Sequence, residues 1–159
     1  MSEDTHRQGK TIDELFEGDS LTVNESISER DVMLYLGTTN DNNPLYTQDE
    51  YAKKMEYKGA VVPQVLLMGI ITSSVSKLLP GPGSLVVNSS VNFVLPVYHN
   101  EDVTFNFEII KVDTMKEVVT LSITGNKEND HRVLDAVLMV KPPKKFSAVD
   151  GLNKLEVNI

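Results

Sequence analysis

The stretch Asn40-Asp41-Asn42-Asn43-Pro44-Leu45-Tyr46 holds the most concentrated chemistry in this chain. It sets one carboxylate, Asp41, among side-chain amides that can fix its direction. No regular element tolerates so many Asn and Asp residues ahead of a proline, so it reads as a loop pinned by its own side chains. An Asx turn accounts for it from composition alone. The functional reading is a carboxylate aimed at the next long helix, whose N-terminus is the positive end of its dipole. That helix opens at Pro63-Gln64. Gln64 and Val65 there offer unpaired backbone N–H groups, which suit a carbonyl oxygen or an oxyanion.

Little else competes. His6, His99 and His131 are far apart, have no metal-ligand spacing, and each reads as a surface residue. No nucleophile elbow, Gly-rich phosphate loop or EF-hand pattern is present. The chain has no Cys, which removes thiol chemistry, zinc–cysteine sites and disulfides. Neither a metal nor a cofactor is expected.

The 159 residues suffice for one domain with a core that needs no disulfide or metal staple. With 23 acidic against 15 basic residues the net charge is −8. Such a chain repels nucleic acid and anionic membranes. The basic run at Lys141 to Lys145 reads as a solvated tail. No charged stretch followed by an apolar one opens the chain, so no secretory signal is expected, and a cytoplasmic location fits a chain without Cys.

The elements that must position Asp41 follow from hydrophobic period. Val61 to Leu79 is apolar or small nearly all round from Val65 to Val75, which predicts a buried helix. Pro63 suits its first position. Leu79-Pro80-Gly81-Pro82-Gly83 stops it. Ahead of it, Leu21, Val23 and Ile27 alternate as a strand. Ser28 caps a helix over Val32 to Leu36 that Gly37 ends, and Thr47 or Gln48 opens a short helix through Met55. After the breaker the period is two. Leu85, Val87, Val91, Phe93 and Leu95 share one strand face. Val103, Phe105, Phe107 and Ile109 share another, with a phase slip to Ile110 and Val112 that predicts a bulge. Val119, Leu121 and Ile123 follow, then a hairpin turn over Gly125 to Asp130. Val133 to Val140 is apolar on both faces, as in a central strand. The fold class is α+β: an antiparallel sheet of about five strands, its last four in a meander, curled around the long helix. Residues 1–10 read as a disordered tail, 11–143 as the domain and 144–159 as an extension.

Several of these landmarks together resemble the MaoC-like hotdog family, which includes the (R)-specific enoyl-CoA hydratases. The family loop, roughly Gly-Asp-x-Asn-Pro-x-His, falls on Asn40 to Tyr46. Tyr51-Ala52, the Pro-Gly breaker, Phe93-Val94-Leu95-Pro96-Val97 and Glu101-Asp102 keep the family spacing, from about Gly18 to Lys141. The resemblance implies a hotdog fold and hydration of trans-2-enoyl thioesters. It implies Asp41 as acid/base, Asn43 as the loop amide, Gln64 as oxyanion donor and Thr72 as a supporting hydroxyl. It also implies a homodimer with the site at the interface and an acyl-CoA or acyl-carrier thioester as partner. Tyr46 stands where the family has His, and Pro63-Gln64 where it has His-Gly. Three changes in one site imply altered or lost hydratase activity. A non-catalytic acyl-CoA-binding domain or subunit is the alternative, and a thioesterase the third.

Overall fold

Period-two alternation builds the larger part of the molecule. In the computed structural model, which describes residues 7–145, five strands form one antiparallel sheet. They are β1 (Ser20–Ser26), β2 (Leu85–Phe93), β3 (Asp102–Asp113), β4 (Val118–Lys127) and β5 (His131–Lys141). The order across the sheet is β1-β3-β4-β5-β2. The meander therefore covers only β3 to β5. β2 lies beyond β5 rather than beside β3, because the chain leaves the ladder after Phe93 and crosses back to start β3 at the far side. Expectations for residues 1–6, His6 among them, and for 146–159 lie outside the described residues.

The inner face is the alternating set. Val103, Phe105, Phe107, Ile109, Val119, Leu121, Ile123, Leu134, Ala136, Leu138 and Val140 are buried in one core. The slip expected near Ile110 is there: the β3–β4 register shifts between Ile109 and Lys111, leaving Ile110 outside while Val112 packs on the core. A second shift went unforeseen. Between Val86 and Asn88 the β2–β5 register slips, so Leu85 and Val87 are 65% and 51% exposed, and Val86 with Val91 faces in. Gly125 is not in the turn. It sits inside β4, where a Cβ would come within 3.0 Å of Leu134 Cγ.

Three helices complete the fold, α1 (Glu29–Thr39), α2 (Asp49–Lys54) and α3 (Gln64–Lys77), and α1 and α3 pack apolar side chains into the core. Ser28 caps α1 through a reciprocal box: its hydroxyl accepts the Asp31 N–H while Asp31 accepts from Ser28 N–H and Oγ. Those two hydrogen bonds, the hydroxyl one first, hold the Asp31 carboxyl below the usual range. Gly37 does not stop α1. The helix runs on to Thr39 and ends at Asn40, whose φ of 56° is the left-handed cap that Asn tolerates. Pro63 precedes α3 as its N-cap rather than taking the first helical position, and its carbonyl accepts the Leu66 N–H.

α3 buries Leu67, Ile71, Ser74 and Val75 on the sheet. Each large apolar side chain there contributes roughly 1.5–3 kcal/mol. One chain does not wrap it all round, however. Val65 is 61% exposed, and Leu66, Met68 and Ile70 are only half-buried. Gly9 and Lys10, read from the sequence as tail, donate N–H bonds to the carbonyls of Pro82 and Pro80 in the breaker. No described helix is long and apolar enough to cross a membrane.

Candidate active site

The Asx-rich loop is built as its composition requires. Asn40 turns the chain out of α1. Asp41 Oδ1 accepts the Asn43 N–H at 3.0 Å, and Asn43 Oδ1 accepts the Leu45 N–H at 3.1 Å. Pro44 opens one turn of 3-10 helix over Pro44–Tyr46, and the Tyr46 N–H returns to the Asn43 carbonyl at 3.1 Å. Each short polar side chain thus closes a turn locally. The loop is then tied to the approach to α3, since Leu45 C=O accepts the Val61 N–H at 3.0 Å. The next residue, Val62, donates to Val97 C=O at 2.8 Å. Three backbone segments therefore lie side by side just before the helix opens.

A cleft of about 200 Å³ sits where they meet. Tyr46 and Leu45 enter it from the loop, Gln64 and Leu67 from α3, and Val94 to Val97 from the segment after β2. Its lining is apolar apart from the two phenols Tyr46 and Tyr57, the Gln64 amide and the local backbone. At the mouth, the first N–H groups of α3 lack intrahelical acceptors, as they do in any helix.

Tyr46 is half-buried, and its phenol is pushed up from the ordinary value. Desolvation is the main cause, and the Asp41 charge adds to it, with a smaller push from Tyr35. The Asn43 side-chain amide, as a donor to the phenol oxygen, acts in the opposite direction. Asp41, Asn43 and Tyr46 therefore form one electrostatic group. Tyr46 is the member that reaches the cleft; Asp41 is partly buried and is not in the lining.

The remaining expected residues divide. Gln64 shares the cleft with Tyr46. Pro63 is buried and outside the cleft lining, and Val65 points out to solvent. Thr72 Oγ1 donates back to the carbonyls of Met68 and Gly69 at 3.1 and 3.2 Å, so its hydroxyl is engaged by its own helix. Tyr57 and Tyr35 were missed by the sequence reading. Nothing in their spacing marks them, since the fold alone brings them near Tyr46. Of the histidines, His131 is exposed and opens β5, while His99 is half-buried with Nε2 enclosed rather than on the surface. Among the described residues no cluster of His, Asp or Glu is arranged to hold a metal.

Comparison with known proteins agrees with this architecture. The model of the MaoC-like domain family matches residues 8–131. An (R)-specific enoyl-CoA hydratase of Rhodospirillum rubrum is 31% identical over 113 residues, 71% of this chain and 78% of that protein. A 3-hydroxybutyryl-CoA dehydratase of Methylorubrum extorquens is 27% identical over 126 residues, 79% of this chain and 80% of that one. Among solved structures, the unliganded R-hydratase of Pseudomonas aeruginosa superposes with a TM-score of 0.80 at 24% identity, covering 87% of this chain and 88% of its own. The Asx-rich loop, the apolar helix in its curled sheet and these matches lead to one conclusion: the chain belongs to the MaoC-like domain family and has the hotdog fold.

Proposed function

We propose that this protein is a hydratase/dehydratase of acyl thioesters, adding water to the double bond of a trans-2-enoyl-CoA. The observation that supports this best is the cleft shared by the Tyr46 loop and the Gln64 helix opening, in a chain related to a named (R)-specific enoyl-CoA hydratase. The thioester oxygen sits at the opening of α3, where the backbone N–H of Gln64 or Val65 and the helix dipole stabilise the negative charge that develops. Asp41 takes a proton from water as the water oxygen bonds to C3. C2 then takes the phenolic proton of Tyr46, and the proton held on Asp41 returns to the tyrosinate. Asn43 ties the pair together, since its N–H donates to Asp41 and its carbonyl accepts the Tyr46 N–H. No metal or cofactor takes part. The apolar Phe93–Val97 wall suits an acyl chain.

The test is loss of enoyl absorbance with crotonyl-CoA and longer enoyl-CoAs. Asp41→Asn keeps an acceptor for the Asn43 N–H but removes the base. It is expected to lower kcat roughly 10²–10⁴-fold with acyl-CoA binding retained. A variant as active as the parent refutes the role of Asp41.

A second reading is favoured by one observation. Asp41 is engaged with Asn43 and lies outside the cleft lining, as suits a domain that binds acyl thioesters without hydrating them. Thermal stabilisation by acyl-CoA with no turnover by the parent decides for that reading. Release of free thiol from acyl-CoA would indicate a thioesterase instead.

A further inference from the structure

Lys127 ends β4, remote in sequence from everything the proposed chemistry uses. Its side chain is only 14% exposed. An ammonium taken that far out of water must be matched by acceptors or it destabilises the fold. Here it is matched threefold. Nζ donates to the Pro96 carbonyl at 2.8 Å and to Glu101 Oε2 at 3.2 Å, and it lies 5.0 Å from the centre of the Tyr98 ring. Glu101 Oε2 also accepts the Tyr98 N–H at 2.8 Å.

All these partners belong to one segment, Pro96 to Glu101, which has left the β-ladder. The Pro96 carbonyl has no strand neighbour to pair with, and Lys127 takes that place. At its start the segment supplies Pro96 and Val97 to the cleft wall that begins at Val94. It also grips the approach to α3. Val97 C=O accepts the Val62 N–H at 2.8 Å, Tyr98 bridges Val61, and Tyr98 Oη accepts the Lys58 N–H at 3.2 Å. Val62 is followed directly by Pro63 and Gln64. An unbroken line of contacts thus runs from the Lys127 ammonium, through the cleft wall, to the helix opening.

We propose that Lys127 is a positioning residue: it fixes the spacing between the Val94–Val97 wall and the opening of α3, and thereby the fit of the bound acyl group. The second half of this inference rests on the reading of the cleft as an acyl-thioester site. Glu101 neutralises the ammonium so that it can stay buried.

The experiment compares the full chain with its Lys127→Met and Lys127→Arg variants by two readouts. Amide hydrogen exchange reports the wall itself. In Lys127→Met, exchange at Val62, Val94 and Leu95 is expected to speed up, while Leu121 and Leu138 in the sheet interior keep the parent's rate. Steady-state kinetics with an enoyl-CoA report the fit. Lys127→Met is expected to raise KM roughly tenfold while kcat stays within about twofold, the split produced when geometry is disturbed and the reacting groups are not. Lys127→Arg, which keeps a charged donor, is expected to restore most of both. Parent-like exchange and KM in Lys127→Met overturn the proposal. So does faster exchange spread evenly over the sheet with kcat and KM both impaired, since that marks a general structural role. If the parent binds no acyl-CoA, the functional reading and the acyl part of this proposal fall together, and local loosening at Val62 and Leu95 alone then supports Lys127 as the positioner of the helix opening.

Discussion

Tyr46 decides what chemistry this site can perform. An imidazole titrates near 6.5 and exchanges protons readily at neutral pH, whereas a phenol titrates near 10. Burial and the neighbouring Asp41 charge push Tyr46 higher still. In the proposed reaction it can therefore serve as a proton donor throughout the physiological range and not as a base, which would leave the base role to Asp41. The direction of the shift fixes the pH behaviour. Turnover is expected to have no descending limb until the pH exceeds about 10. The same shift carries a stability term of definite sign: the unfolded phenol ionises first, so the fold loses stability as pH rises through the ordinary phenol range. Tyr46→Phe is expected to lower kcat roughly 10²-fold, the lower end of what a positioned proton donor contributes. Tyr46→His is expected to bring a pH dependence into the range around 6.5. A pH–rate profile of the three proteins checks this. An unchanged rate in Tyr46→Phe rules out the phenol as donor.

At the scale of elements, glycine shows where the sequence was and was not readable. The run from Gly125 to Asp130, rich in Gly, Asn and Asp, predicts a hairpin turn that starts at Gly125. Instead it lies within β4, with Leu134, Val133 and Phe105 packed 3.0–3.3 Å from where a Cβ would stand. The signal was real but its cause was close packing, which no local pattern reveals. The β2 bulge was missed for a similar reason: Leu85, Val86 and Val87 are all apolar, so alternation could not choose the inward pair, and only the register with β5 did. Where polar residues alternated cleanly with apolar ones, as along β3 and β4, face, bulge and burial were legible in advance. The Asx-rich loop was legible for the same reason, since its short side chains act on their own backbone. Tyr57 and the Val94–Val97 wall were not, because they meet the loop only through the tertiary fold. Gly125→Ala is accordingly expected to destabilise by about 1–3 kcal/mol through overpacking. Thermal or urea unfolding measures it, and a variant as stable as the parent shows that the neighbouring side chains yield without strain.

For the whole molecule, the unsolved surface is the one that a single chain leaves apolar. β1 is a polar edge, with Thr22 and Asn24 hydrogen-bonded to Asn106 and Thr104 on its neighbour. β2, the other edge, pairs only with β5 and exposes Leu85 and Val87 at its start, ahead of the polar run Asn88-Ser89-Ser90. An apolar edge without a charged or proline guard is a surface for strand addition. α3 likewise leaves Val65 in solvent, with Leu66, Met68 and Ile70 half-covered. Two incomplete apolar surfaces on one chain are satisfied together by a second copy, and two-fold pairs are the commonest symmetric assembly. The protein is therefore expected to be a homodimer, with light scattering giving twice the chain mass at micromolar concentration. Val87→Lys places a charge on the β2 edge at little cost to the single chain, since Val87 is already half in water. It is expected to give a folded monomer by the same measurement. If that monomer also loses acyl-CoA binding, the partner completes the cleft beside Gln64. If it binds as the parent does, each chain carries a whole site. A parent protein that is already monomeric removes the dimer and leaves the exposed edge to be covered in some other way.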